Sequence, residues 1–198
     1  MAIDPAENEE YLDKLYRALG HFVVAYSLIG ARMVQTLVPL PGPNAAERAT
    51  VLTKLDAPKL FKEWSSAMED HSHATDQDRE VVRVLVGEAR RLSKVRNRLV
   101  HSWWAVDDPN GVLMFKMGEP PRGLSPSAEE FENYALQAAV IADAVNCQAG
   151  LLNVPAAGRE GYRKQLVIRG KPGHHVVWIP YENGWHGSDG RVGDAPRD

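Results

Sequence analysis

Cysteine is nearly absent: the 198-residue chain holds one, Cys147. A single thiol cannot close an internal disulfide or build a cysteine-rich zinc site. The composition therefore excludes a disulfide scaffold and suits a reducing compartment, the cytoplasm. A long unbroken apolar run is missing as well. The window Phe22 to Leu40 is interrupted by Arg32 and Gln35 and keeps a helical period, which argues for a core helix and against a membrane span. Met1 to Glu10 carries Asp4, Glu7, Glu9 and Glu10 with neither a basic nor an apolar stretch, so it does not read as a secretory signal. Nor does charge of one sign dominate. A formal net charge of -3 excludes a whole-molecule field that would draw in phosphate, so any polyanion site must be local. There is no solenoid repeat, no glycine-rich phosphate loop ahead of a helix and no Gly-x-Ser-x-Gly elbow.

What is present is helical periodicity. Tyr11, Leu15, Leu19, Phe22, Tyr26, Ile29, Met33 and Leu37 recur by fours and threes and predict a long first helix, ended by Pro39, Pro41, Gly42 and Pro43. Asn44 with Glu47 reads as the cap of a second helix, with Pro58 as a break before Leu60, Phe61, Trp64 and Met68. Thr75 with Asp78 reads as the cap of a third, whose face Val81, Leu85, Ala89, Leu92, Val95 and Leu99 carries it to about Ser102. Ser127 with Glu130 opens a fourth, carrying Phe131, Tyr134, Ala138, Ile141, Ala142, Val145, Ala149 and Leu152. Trp103 to Val106 and Val112 to Phe115 flank a turn sequence and predict a hairpin. Leu166 to Ile168 and His175 to Ile179 predict a second.

The expected fold class is thus mostly all-α: an antiparallel four- to five-helix bundle with one or two short β-hairpins. The bundle is expected over residues 8–154, an extension with a hairpin over 155–181, and a flexible polar tail over 182–198.

The third helix carries the chemistry. At about 100° per residue, Arg79, Arg83, Arg90, Lys94, Asn97, Arg98 and His101 fall in one sector opposite the apolar face. The ordinary reading of such a stripe is a solvated face. Arg96 breaks the pattern by falling on the apolar side, beside Leu85, Ala89, Leu92 and Leu99. A guanidinium there needs an acid, a carbonyl, a subunit interface or a bound anion. Glu88 is two turns away, too far to serve directly. His101 follows Asn97 by four residues on one face, so the amide can fix the imidazole tautomer or share a ligand. Arg96 and His101 are about 140° apart on an ideal helix and do not converge from one straight helix. In a plain helical domain, Arg96 would pair with a buried acid and His101 would cap the helix through its dipole.

The stretch Arg96-Asn97-Arg98-Leu99-Val100-His101, closing a long helix and followed by Trp103 and Trp104, resembles the Arg-x4-6-His motif of HEPN domains. The resemblance rests on that stretch and on the order of four helices over residues 8–154. It implies an all-α bundle and a metal-independent endoribonuclease that dimerises so that two motifs form one cleft, as in toxins and phage-defence effectors. Arg96, Asn97 and His101 would be catalytic. His101 would serve as base or acid, Arg96 would hold the scissile phosphate, and Asn97 would orient His101 or the ribose, leaving a 2′,3′-cyclic phosphate and a 5′-hydroxyl. Arg83, Arg90, Lys94 and Arg98 would guide the RNA backbone, with Trp103 and Trp104 as candidates to stack on bases. Packing against the bundle is the more ordinary role for those tryptophans. RNA, a second copy, and an antitoxin or sensor protein are the expected partners, with no cofactor, metal or membrane. The alternative is a non-catalytic HEPN-like module binding RNA, a nucleotide or a protein. His71-x-His73 and His174-His175 are close pairs without the acids or cysteines of a metal site and read as ordinary loop histidines.

Overall fold

The computed structural model describes residues 5–40, 44–107, 111–115, 126–155, 157, 163–170 and 173–180, with side chains for 9–40, 44–102, 126–155 and 157. Five helices appear in it: α1 (Pro5–Leu37), α2 (Ala45–Leu52), α3 (Ala57–Glu69), α4 (Asp76–Val100) and α5 (Ala128–Leu152).

The apolar stripe of α1 buries Leu15, Phe22, Ile29, Met33 and Leu37, while Tyr11 stays 39 % exposed near the helix start. The end of α1 is held from α2: Arg48 donates to the carbonyls of Leu37, Val38 and Leu40, groups that a helix end leaves without partners. Asn44 caps α2 by accepting from the Ala46 N–H at 3.0 Å, so Glu47 is not the partner of its side chain. The break expected at Pro58 lies earlier. Asp56 is the N-cap of α3, accepting from the Lys59 N–H at 3.0 Å, and Pro58 sits in the first turn, where its missing N–H costs nothing.

Both predicted capping boxes form, at Thr75 with Asp78 and at Ser127 with Glu130. Helices α4 and α5 run antiparallel, since Arg91 meets Gln137 while Asp78 meets Gln148. Phe22 of α1 packs on Tyr134 of α5 with ring centroids 5.6 Å apart. The fully buried Trp64 of α3 donates its Nε1–H to Thr36 Oγ1 of α1 at 3.0 Å, which satisfies the one polar atom of that ring. Among the described residues α5 alone has the length and apolar composition of a membrane span, with a mean hydropathy of 1.3, and 44 % of that window is buried in the bundle.

The expected fold class needs correction. The bundle is all-α with five helices, and every buried residue of its described hydrophobic cluster lies on a helix. The strand pairing present is confined to two separate two-stranded ladders. One is β1 (Trp103–Asp107) with β2 (Gly111–Phe115). The other is β3 (Arg163–Gly170) with β4 (Gly173–Pro180), at eight residues a strand longer than the alternation of Leu166 to Ile168 indicated. The tail expected over 182–198 lies outside the described residues.

Candidate nucleic-acid interface

Helix α4 changes electrostatic character along its length. In its first half every cation has a described partner. Arg79 donates to Asp76 at 2.9 Å and to the Glu69 carbonyl at 3.2 Å. Arg83 reaches Glu80 at 3.1 Å and Glu69 at 4.0 Å. In mid-helix, Arg91 donates its Nε–H to Glu88 at 2.8 Å and a second N–H to Gln137 of α5, whose amide in turn donates to Asn133 at 3.4 Å. Glu88 is 8 % exposed, so this chain of contacts neutralises a nearly buried carboxylate.

Beyond Ala89 the chain has no acid until Asp107. Arg90, Lys94, Asn97 and Arg98 are exposed on the outer face, and the three cations have no ion-pair partner among the described residues. Part of this follows from the helix dipole, which favours cations near a C-terminus. The dipole does not account for Arg96, which is half-buried on the inward side. Its described hydrogen bond goes to Asn97 Oδ1 at 3.1 Å, not to an acid.

His101 is the C-cap. Its backbone N–H still donates to the Asn97 carbonyl at 3.1 Å, but with φ -99° and ψ 9° the chain leaves the helix at this residue. The imidazole is exposed. Among the described residues no side-chain hydrogen bond joins His101 to Arg96 or to Asn97, whose amide oxygen is engaged by Arg96. One chain thus brings Arg96 and Asn97 together and leaves His101 one turn further on. Ser102 donates to the Arg98 carbonyl and closes the last turn. Trp103 and Trp104 are the first two residues of β1, opposite Phe115 and Met114 in the ladder, and their side chains lie outside the described residues.

No family model matches the chain, and comparison with curated proteins and with solved structures finds no match.

Two other features complete the inventory of polar groups. His71 and His73 stack edge to face, with ring centroids 5.5 Å apart. The His73 Nδ1 lies 3.0 Å from the Leu152 carbonyl, tying the α3–α4 loop to the end of α5. No metal-binding cluster of His, Cys, Asp or Glu occurs among the described residues. His174 and His175 fall on β4 opposite Arg169 and Ile168, with side chains outside the described residues. The sequence reading missed the contacts of Glu88 and Gln137. The spacing of Glu88 and Arg91 by three signals the ion pair, whereas nothing local signals Gln137, which reaches α4 from 46 positions away.

Proposed function

We propose that the chain is a HEPN-type, metal-independent endoribonuclease whose site is assembled from two copies. The observation that supports this best is the acid-free stretch from Arg90 to His101, in which Arg90, Lys94 and Arg98 have no ion-pair partner and the half-buried Arg96 is bonded only to a neutral amide among the described residues. A guanidinium so placed, with no other described partner, can bind a phosphate through paired hydrogen bonds. In this reading Arg90, Lys94 and Arg98 hold the RNA backbone. An imidazole at His101 removes the proton of a ribose 2′-hydroxyl. The 2′-oxygen attacks phosphorus, Arg96 stabilises the added charge, and the 5′-oxygen leaves with a proton from the imidazole of the other copy. The products are a 2′,3′-cyclic phosphate and a 5′-hydroxyl. The second copy enters because Arg96 and His101 diverge along one helix.

A second reading, a binding module without cleavage, draws on the exposed His101, which has no described side-chain partner to fix its tautomer. One experiment separates the two. Labelled RNA is incubated in EDTA with the wild type, His101→Ala and Arg96→Ala. Cleavage by the wild type alone supports the nuclease. Equal cleavage by all three overturns it. Salt-sensitive binding without cleavage selects the module.

A further inference from the structure

Helices α3 and α4 pack against each other and are joined by residues 70–75, so the end of α3 meets the start of α4. There the Glu69 carboxylate of α3 stands 4.0 Å from Arg83, and the Glu69 carbonyl accepts from Arg79 at 3.2 Å. Going back along α3 is therefore going forward along α4. Seven residues return a helix to the same side within about 20° and carry it about 10 Å along its axis. Seven back from Glu69 is Lys62, and seven on from Arg83 is Arg90. The helices thus repeat at Lys62 and Arg90 the placement that they use for Glu69 and Arg83, with a cation where the acid was. Both residues are exposed, and neither has an ion-pair partner among the described residues. Glu63 falls about 120° round α3 from Glu69, off this side. Between the two pairs lie Ser65, whose hydroxyl is turned to Glu69 at 2.7 Å, and the exposed Gly87, where an added Cβ would meet nothing within 4 Å. The surface there is open, and two unpaired cations brought together across it repel unless an anion lies between them.

We infer that the α3–α4 face is a track for a single RNA strand, with Lys62 as its second wall. One phosphate sits between the Lys62 ammonium and the Arg90 guanidinium, and the strand runs on past Lys94 toward His101, both of which fall on the same side of α4 as Arg83 and Arg90. The track has a direction. At its other end the Glu69 carboxylate occupies the position that Lys62 takes here and has already engaged Arg83, so a phosphate is turned away from the start of α4. Lysine suits the outer wall, being a compact charge on a flexible stem that can follow a moving backbone, while the arginine fork fixes the phosphate from the other side. The inference rests on the RNA reading above; the residue on α3 and the path of the strand are the addition.

The test is titration of a fluorescent oligouridine with the full chain at several salt concentrations, using Lys62→Gln, Lys62→Glu and Lys59→Gln. Lys62→Gln should lower the slope of log affinity against log salt by about 0.7, the value for one phosphate of a single strand. Lys62→Glu sets opposite Arg90 the pair that Glu69 makes with Arg83, so it should melt no lower than the wild type. It also occupies Arg90, so the slope should fall by about 1.4, two phosphates' worth, and adding Arg90→Gln should change it little further. Lys59→Gln should leave the slope unchanged, because that ammonium already meets Asp56 at 3.0 Å. A slope indifferent to both Lys62 variants overturns the track, and so does a Lys62→Glu protein that melts well below the wild type. RNA cleavage by a protein of either kind leaves the proposed function standing. The expected losses in a protein that cuts no RNA support the track and overturn the nuclease. A wild type that binds phosphatidylserine vesicles and not the oligouridine overturns both.

Discussion

Arg96 gives its described hydrogen bond to the side-chain oxygen of Asn97, its neighbour in sequence, at 3.1 Å. Five residues earlier, Arg91 is fixed by the Glu88 carboxylate and the Gln137 amide. Two arginines on one helix are thus held in opposite ways, one by a nearly buried acid and the other by a neutral amide on the surface. The difference separates a structural arginine from one available to a ligand.

Substitution should divide the two roles. Arg91→Ala removes the described ion pair of the nearly buried Glu88 carboxylate and the bond to Gln137, and should cost about 1–3 kcal/mol in urea unfolding. Arg96→Ala breaks no described ion pair and should stay within about 0.5 kcal/mol of the wild type. Under the proposed function, Arg96→Ala should also lower RNA cleavage by about a hundredfold or more. A large loss of stability in Arg96→Ala would mean that the arginine is structural.

The start of α3 carries a measurable pH dependence. The Lys59 N–H, and then the Lys59 ammonium, hold the exposed Asp56 carboxyl below the usual carboxylate range. A carboxyl depressed in the folded state contributes stability that is present above its unfolded value and is lost as pH falls through its lowered folded value. Asp56→Asn keeps an N-cap acceptor but removes this contribution. The difference in melting temperature between wild type and variant should therefore be largest near neutrality and shrink in acid. A difference that does not vary with pH would contradict the assignment.

The helices were legible because their information is local. Stripes at three and four residues and the pairs Thr75 with Asp78 and Ser127 with Glu130 place α1, α4 and α5 to within a few residues. Pro58 misled because proline is as much at home in a first turn as at a break, and the capping Asp56 two residues earlier decides between the two. The inward position of Arg96 was also legible, being a matter of angle on one helix. Arg83 was not. Its stripe position pointed to a ligand, but the carboxylates of Glu69 and Glu80 neutralise it, and Glu69 lies on another helix. The contact of Gln148 with Asp78 spans 70 residues and leaves no trace in periodicity.

Cys147 is half-buried on α5, and burial, followed by the charge of Asp143, pushes its thiol up. The reactive form is the thiolate, so at pH 8 the native protein should react with a disulfide reagent more slowly than the unfolded chain. Asp143→Asn removes the smaller of the two causes and should speed the native reaction modestly. A native thiol that reacts as fast as the unfolded one would contradict the burial.

The acid-free end of α4 makes a quantitative prediction about salt. If Arg90, Lys94 and Arg98 each neutralise a phosphate, replacing any one by glutamine releases one fewer counterion. The slope of log affinity against log salt should then fall by about 0.7 on a single strand. Arg83→Gln should change the slope less, because Arg83 already spends its charge on Glu80 at 3.1 Å and Glu69 at 4.0 Å. Titrations of a fluorescent RNA at several salt concentrations give the slopes of the wild type and the four variants. Equal effects at Arg83 and Arg90 would show that the uncompensated part of the stripe is not what RNA contacts, and a slope near zero in the wild type would remove RNA as the ligand.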